Sequence, residues 1–366
     1  MSDSLKLTTY FNERQRTGAE CRRPGGSGGQ FLAESLLRLY GERRVATSVM
    51  LRGIGSFGPR EVLRSDEWLS MSEDPPVTVA AVDARDKIAR LVDDVVAMTP
   101  RGLITLERAR LVSADVNEFV APANDSAKLT IYLGRQERVD RTPAYQAICD
   151  LLYREGVSGA SVFLGVDGTV LGERRRARFF NRNIDVPMML ISVGTTEAIA
   201  RVVAQLGPML RRPLLTVERI RVCKRDGSLL ARPDALPMAD EQGRALWQKL
   251  MIYTSSAALH NGAPIHRALV RALRTSGTAS GATVLRGMWG FHSDRKPHGD
   301  RLFQLTRQVP VMTIVVDTPD RIARSFEVVD EFTREHGLVT CEMVPALVLV
   351  DGQHRSGSTG LADHSY

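Results

Sequence analysis

Hydrophobic and polar positions in this chain alternate singly over short runs, then switch to a stripe recurring every three to four residues. That switch happens six times. The single alternation predicts half-buried strands and the wider stripe predicts amphipathic helices. Three strand-like openings match one another: Lys6-Leu7-Thr8-Thr9-Tyr10, Lys128-Leu129-Thr130-Ile131-Tyr132 and Lys249-Leu250-Met251-Ile252-Tyr253. A helical stripe follows each. In the second copy Thr142-Pro143 starts it and Tyr145, Ile148, Leu151 and Leu152 form it; in the third, Pro264 opens Ile265, Leu269 and Leu273, and Gly277 ends it. A second strand is predicted at Ser48–Leu51, Ser161–Leu164 and Thr283–Leu285, then a long loop, then a third strand behind Pro76, Pro187 or Pro310. Proline is tolerated at a strand's first residue, where no ladder N–H is needed. A second helix carries Ile88-Ala89-Arg90, Ile199-Ala200-Arg201 or Ile322-Ala323-Arg324. The last strand carries Leu103–Glu107, Leu214–Glu218 or Leu338–Glu342.

Three markers recurring in one order establish an internal repeat. Strand, helix, strand, strand, helix, strand is the ferredoxin-like order, so the predicted class is α+β with three tandem βαββαβ units. Their expected bounds are residues 5–112, 127–223 and 248–350, with linkers at 113–126 and 224–247 and a disordered tail at 351–366. Side chains alternate along a strand. Each opening strand therefore turns Lys, then Thr or Met, then Tyr toward the face that the helices leave uncovered. That mixed face suits packing against another copy, and fusion in one chain favours an intramolecular pseudo-trimer, monomeric overall.

The chain has 366 residues and a formal charge of +7, with 49 basic against 42 acidic residues. The excess invites a polyanion, but no long basic run concentrates it. No apolar run approaches the roughly 20 residues that cross a bilayer, and the first residues lack a signal-peptide layout, so a cytoplasmic protein is expected. Cys21, Cys149, Cys223 and Cys341 are far apart and have no zinc-ligand spacing, which predicts reduced structural thiols. No His pair has metal-binding spacing, and no nucleophile–base arrangement is visible, so neither a metal site nor an enzyme is expected. Gly25-Gly26-Ser27-Gly28-Gly29 lacks the Gly-Lys-Ser/Thr ending of a phosphate-binding loop and reads as a flexible insertion.

With these motifs in view, the chain resembles the PII-like signalling superfamily, and most closely the family called domain of unknown function 190. The resemblance rests on the Lys-Leu-Thr-x-Tyr strand, on Thr283-Val284-Leu285-Arg286-Gly287-Met288-Trp289-Gly290-Phe291, and on Pro310-Val311-Met312-Thr313-Ile314-Val315-Val316-Asp317. The first copy keeps Leu51-Arg52-Gly53-Ile54-Gly55-Ser56-Phe57, whereas the second reads Leu164-Gly165-Val166-Asp167-Gly168-Thr169 and lacks both Arg and Phe. The resemblance implies trimeric packing and a small ligand, such as a nucleotide, between the units. It also implies a loop between strands two and three that contacts a protein partner, a transporter or channel, with fluoride-exporting channels among the candidates.

Candidate residues follow. Arg52, Gly53, Arg286, Gly287, Phe291 and His292 stand where the second strand ends, and are expected to touch an anionic ligand. The loop arginines Arg174, Arg175, Arg176 and Arg178, with Arg295, Lys296, His298 and Arg301, are expected to face a partner. Nucleic-acid binding through these basic loops is the alternative, disfavoured because the strands lack the aromatics of an RNA-binding sheet. Lys6, Lys128 and Lys249 with Glu107, Glu218 and Glu342 are expected to form structural cross-strand pairs.

Overall fold

Setting aside two-residue bridges, the first repeat runs β1 (Ser2–Asn12), α1 (Leu32–Glu42), β2 (Thr47–Phe57), β3 (Pro76–Ala84), α2 (Arg85–Met98) and β4 (Arg101–Val112). The second runs β5 (Ser126–Gly134), α3 (Ala144–Arg154), β6 (Gly159–Leu164), β7 (Asp167–Val170), β8 (Glu173–Arg176), β9 (Pro187–Thr195), α4 (Thr196–Met209), β10 (Leu214–Arg219) and β11 (Arg221–Arg225). The third comprises β12 (Trp247–Ser255), α5 (Ile265–Ser276), β13 (Ala282–Arg286), β14 (Trp289–His292), β15 (Pro310–Asp317), α6 (Pro319–Phe332), β16 (Leu338–Val344), β17 (Ala346–Asp351) and β18 (His354–Ser358). This computed structural model describes residues 2–18, 29–59, 62–66, 74–112, 125–176, 186–292, 298–299 and 308–364.

Local chemistry fixes the element ends. Gly277 caps α5 in the left-handed region, at φ 63°, where glycine carries no Cβ penalty. Thr195 caps α4 by accepting the Ala198 N–H at 3.2 Å. Proline occupies the first turn of α6, where its missing N–H costs nothing. Each repeat pairs its strands antiparallel in the order fourth, first, third, second. The helix stripes bury against that sheet. Leu36, Ile88 and Leu91 do so in the first repeat, Ile148, Ile199 and Leu206 in the second, and Leu269, Ile322 and Phe326 in the third.

A fourth apolar core belongs to no single repeat. It joins Val82, Tyr132, Ile191, Met251, Ile314 and Leu347, residues of all three, on the faces that the helices leave uncovered. Full burial of one such side chain contributes about 1.5–3 kcal/mol, so this shared core holds the repeats together.

The start of the expected second linker and part of the expected tail are strand instead. Residues 221–225 of β11 pair with β16 of the third repeat, and β17 pairs with β4 of the first. The end of β4 in turn pairs with β10 of the second repeat, from Val112 opposite Leu215 to Arg110 opposite Val217. Each repeat thus clasps the next, and the third clasps the first. The tail placed at 351–366 as disordered continues into a hairpin in which β18 pairs with β17, and Ala362 is fully buried. Backbone pairing with a neighbour satisfies the amides that a solvated tail would leave to water. Most of the 113–126 linker and the Gly25–Gly28 stretch lie outside the described residues.

Candidate functional site

The first and last strands of each repeat place Lys6 opposite Glu107, Lys128 opposite Glu218 and Lys249 opposite Glu342. The pairs also reach one another. Lys6 Nζ lies 2.9 Å from Glu107 and 2.5 Å from Glu218; Lys128 lies 2.7 Å from Glu218 and 2.5 Å from Glu342; Lys249 lies 2.8 Å from Glu342 and also binds Glu107. Six alternating charges therefore close into one ring, every member bridging its own repeat to a neighbour.

All six side chains are buried. Removing a charge from water costs several kcal/mol even after relaxation, so each one requires compensation on both sides. Burial pushes the carboxyls of Glu107 and Glu218 upward, but the lysines around them prevail and hold both below the usual range, Glu218 at about 2. Burial likewise opposes the charge on Lys6 and Lys249, and the flanking glutamates outweigh it and raise both. For Lys128, the most deeply buried, desolvation prevails and the ammonium is pulled down. The three carboxylates lie within 4.8 Å of one another, as a metal site would need. Three ammonium groups already neutralise them, so the donor set does not fit a further cation.

The second strands form another closed figure. The far half of β2 pairs with β13, β14 pairs with β6, and β7 pairs with the near half of β2. Each second strand leaves its own sheet midway and enters the neighbour's. The Gly of each Leu-Arg-Gly or Leu-Gly motif marks that crossing: a Cβ on Gly53 would lie 2.7 Å from the Val284 carbonyl oxygen, and one on Gly165 would lie 2.5 Å from that of Pro187. Beyond it, Phe57 joins the core of the third repeat and Phe291 that of the second. Each phenylalanine stands opposite an alanine, Ala282 or Ala160. Thr169 takes this place in the second repeat opposite Ser48, and their hydroxyls are 3.0 Å apart. The helix of the receiving first repeat carries Tyr40 where the others carry Leu152 and Leu273, so a larger side chain accompanies the smaller plug.

Two cavities open beside these crossings. One, of about 290 Å³, lies between the second and third repeats and is lined by Ala160, Ile191, Tyr253, Phe291, His292 and His336 among others. His292 Nε2 is 2.8 Å from Asp226 Oδ1, so a residue of the third repeat meets the turn after β11. The other, of about 420 Å³, lies between the first and third repeats and uses the equivalent elements, with Tyr10, Phe57 and Leu103 matching Tyr253, Phe291 and Leu338. Tyr10 also feels the charge ring; burial is the chief reason that its phenol is pushed up to about 12.

The structure separates the candidate residues read from the sequence. Phe291 and His292 line the smaller cavity, whereas Arg52, Gly53, Arg286 and Gly287 line neither. Arg52 instead donates from Nε to Glu13 at 2.7 Å, and the two glycines serve close packing. Arg174 is engaged within the chain. It forks onto Glu34 of α1 at 2.9 Å and onto Asp167 at 2.7 Å, tying the second repeat's loop to the first repeat. Arg175 pairs with Glu173 at 2.8 Å on the surface, and Arg176 lies in β8 opposite Asp167. Arg178, Arg295, Lys296 and Arg301 fall outside the described residues, and His298 forms a bridge opposite Gly290. Sequence reading missed Asp226 and Asp351. A signal existed: Asp226-Gly227 and Asp351-Gly352 stand at the ends of equivalent strands, and Asp-Gly is a hairpin-turn pair.

These features define a tandem-repeat α/β protein whose repeats share strands, a buried ion ring and clefts. The chain belongs to the DUF190 family, described as an uncharacterized ACR (COG1993), whose model matches it three times, at residues 4–111, 126–222 and 247–346. It is 30% identical over 107 residues to a UPF0166 protein of Aquifex aeolicus, covering 29% of this chain and 99% of that protein. A UPF0166 protein of Methanocaldococcus jannaschii is 35% identical over 80 residues, 21% of this chain and 72% of its own length. A relative the size of one repeat accords with fusion of three.

Proposed function

We propose that this chain is a non-enzymatic PII-like sensor, an intramolecular pseudo-trimer of ferredoxin-like units that binds small ligands between repeats and signals to a protein partner. The observation that carries the reading is the pair of inter-repeat cavities built from equivalent strands on either side, beside a ring that couples all three repeats. Ligand clefts occur preferentially at interfaces between structural units, where two surfaces can close on one molecule. The small anionic ligand is assigned to the cleft of the second and third repeats, where the exposed His336 stands at the wall beside His292, whose Nε2 holds Asp226. The loops between second and third strands are assigned to the partner, a transporter or channel. Among the described residues no helix is long and apolar enough to cross a membrane, so such a partner would be met from outside the bilayer.

Thermal-shift measurements against adenine nucleotides, cyclic dinucleotides, fluoride and other simple anions test the ligand assignment. One anion should raise Tm in the wild type, and His292→Ala should abolish the increase. Flat responses to the whole set would refute the sensor reading as stated.

A further inference from the structure

The larger cleft, between the first and third repeats, has different chemistry from its smaller counterpart. Its walls are aromatic and aliphatic: Tyr10, Phe57, Trp247, Leu103, Ile314 and Leu349 contribute. Its volume, about 420 Å³, falls in the range of roughly 300–1,000 Å³ that holds compact organic ligands.

The charges around it are already matched. Arg101 Nε donates to Asp351 at 2.9 Å, and Arg64 lies 3.7 Å from Asp74. Asp317 is buried and accepts two backbone N–H groups, from Ser280 at 2.7 Å and Thr318 at 2.9 Å. A phosphate or carboxylate entering here would meet two cations that each hold a carboxylate, and would have to displace one. Both pairs are partly exposed, but the two arginines of the lining, Arg64 and Arg101, are balanced by Asp317 and Asp351, so the cleft offers a polyanion no net positive charge. Neutral flat surfaces face no such opposition. Aromatic rings stack favourably on Trp, Tyr and Phe, and the removal of apolar surface from water adds to that.

We infer that the cleft between the first and third repeats binds an uncharged, flat ring compound of two or three fused rings, and not an anion. This rests on the proposed role of the inter-repeat clefts as ligand sites, and it makes the two clefts receivers of different chemical classes. Fusion in one chain permits that difference, since each junction has its own sequence.

The test uses the full chain and equilibrium dialysis with quinoline and adenosine as neutral probes, and adenosine monophosphate and triphosphate as charged counterparts. Adenosine should bind saturably and at least tenfold more tightly than its triphosphate. Leu349→Trp, which fills the cleft, should weaken adenosine and quinoline binding at least tenfold. His292→Ala, in the other cleft, should leave them unchanged. Tighter binding of the triphosphate to the larger cleft would overturn the inference. So would neutral-probe binding that survives Leu349→Trp or is lost in His292→Ala, although ligand binding between repeats would then stand. Failure of all four probes to bind overturns the inference, while the sensor reading falls only with a flat thermal-shift series. Urea unfolding midpoints of both variants separate lost binding from lost fold.

Discussion

Lys128 of the second repeat and Glu342 of the third meet at 2.5 Å, although 214 residues separate them. Neither is exposed beyond 5%. In such a place a lone ion would be unsustainable, and the contact exists because two further repeats complete the same ring.

Removing one member should therefore cost more than the pair itself contributes. Lys128→Met leaves Glu218 and Glu342 short of a buried cation and should destabilise the fold by about 3–5 kcal/mol. Replacing Lys128, Glu218 and Glu342 together by apolar residues of similar volume should cost much less. Urea denaturation of the three-site and single-site variants decides this, and equal losses in both would contradict the ring's role.

The ring also sets an acid limit. Glu107 and Glu218 have folded-state values below the ordinary 4.5, so each contributes stability that is complete above about 4.5 and disappears as pH falls through the folded value. For Glu218 the window runs from about 4.5 down to about 2. Unfolding midpoints should fall steeply over that range, and Lys6→Met, which removes a neighbour of both carboxylates, should flatten the decline. A midpoint independent of pH there would count against charged glutamates.

The junctions between second strands should not be interchangeable. Phe291→Ala empties a site in the second repeat's core and should cost about 3–5 kcal/mol. Thr169→Phe overfills the first repeat and should cost about 1–3 kcal/mol. Adding Tyr40→Leu and Ser48→Ala should recover much of the second loss by making room. Calorimetric Tm values would reveal the recovery, and its absence would argue that Tyr40 and Thr169 are unrelated.

Gly290 should tolerate no side chain. A Cβ there would stand 2.2 Å from the Ala160 carbonyl oxygen, a backbone atom that cannot swing away, and Gly168 faces Ser48 at 2.0 Å in the same manner. Gly290→Ala should part β14 from β6 and destabilise the chain by more than about 1 kcal/mol. Hydrogen exchange at residues 159–162 is the sensitive readout; protection equal to wild type would show that the strands accommodate the methyl.

Arg174 gives a milder test. Arg174→Ala removes a charged fork from Glu34 and buried Asp167, and should cost about 1–3 kcal/mol with faster exchange confined to β7, β8 and α1. Unchanged exchange would restore this arginine to the set free to meet a partner.

Much of this molecule was legible in one dimension. Periodicity placed the paired helices, the prolines announced the third strands, and the recurring Lys and Glu marked opposite positions on neighbouring strands. What escaped was the use of segments outside the units. Lys224 and Arg225, read as the start of a linker, and His354–Ser358, read as tail, are strand residues, and strand pairing is invisible until the partner edge is known. The ion pairs of Arg52 and Arg174 were equally hidden, since Glu13 and Glu34 are their neighbours only in space.

The amino-acid order by itself determined the triple unit and the alternation that turns Lys, Thr or Met, and Tyr to one side of each sheet, because these depend on the period of a local backbone. Only the tertiary structure decided that three Lys–Glu pairs join into one ring, that second strands cross between sheets, and that two clefts of unlike chemistry result. Those features depend on which distant surfaces meet, and burial of charge and apolar area makes that choice across the whole chain at once.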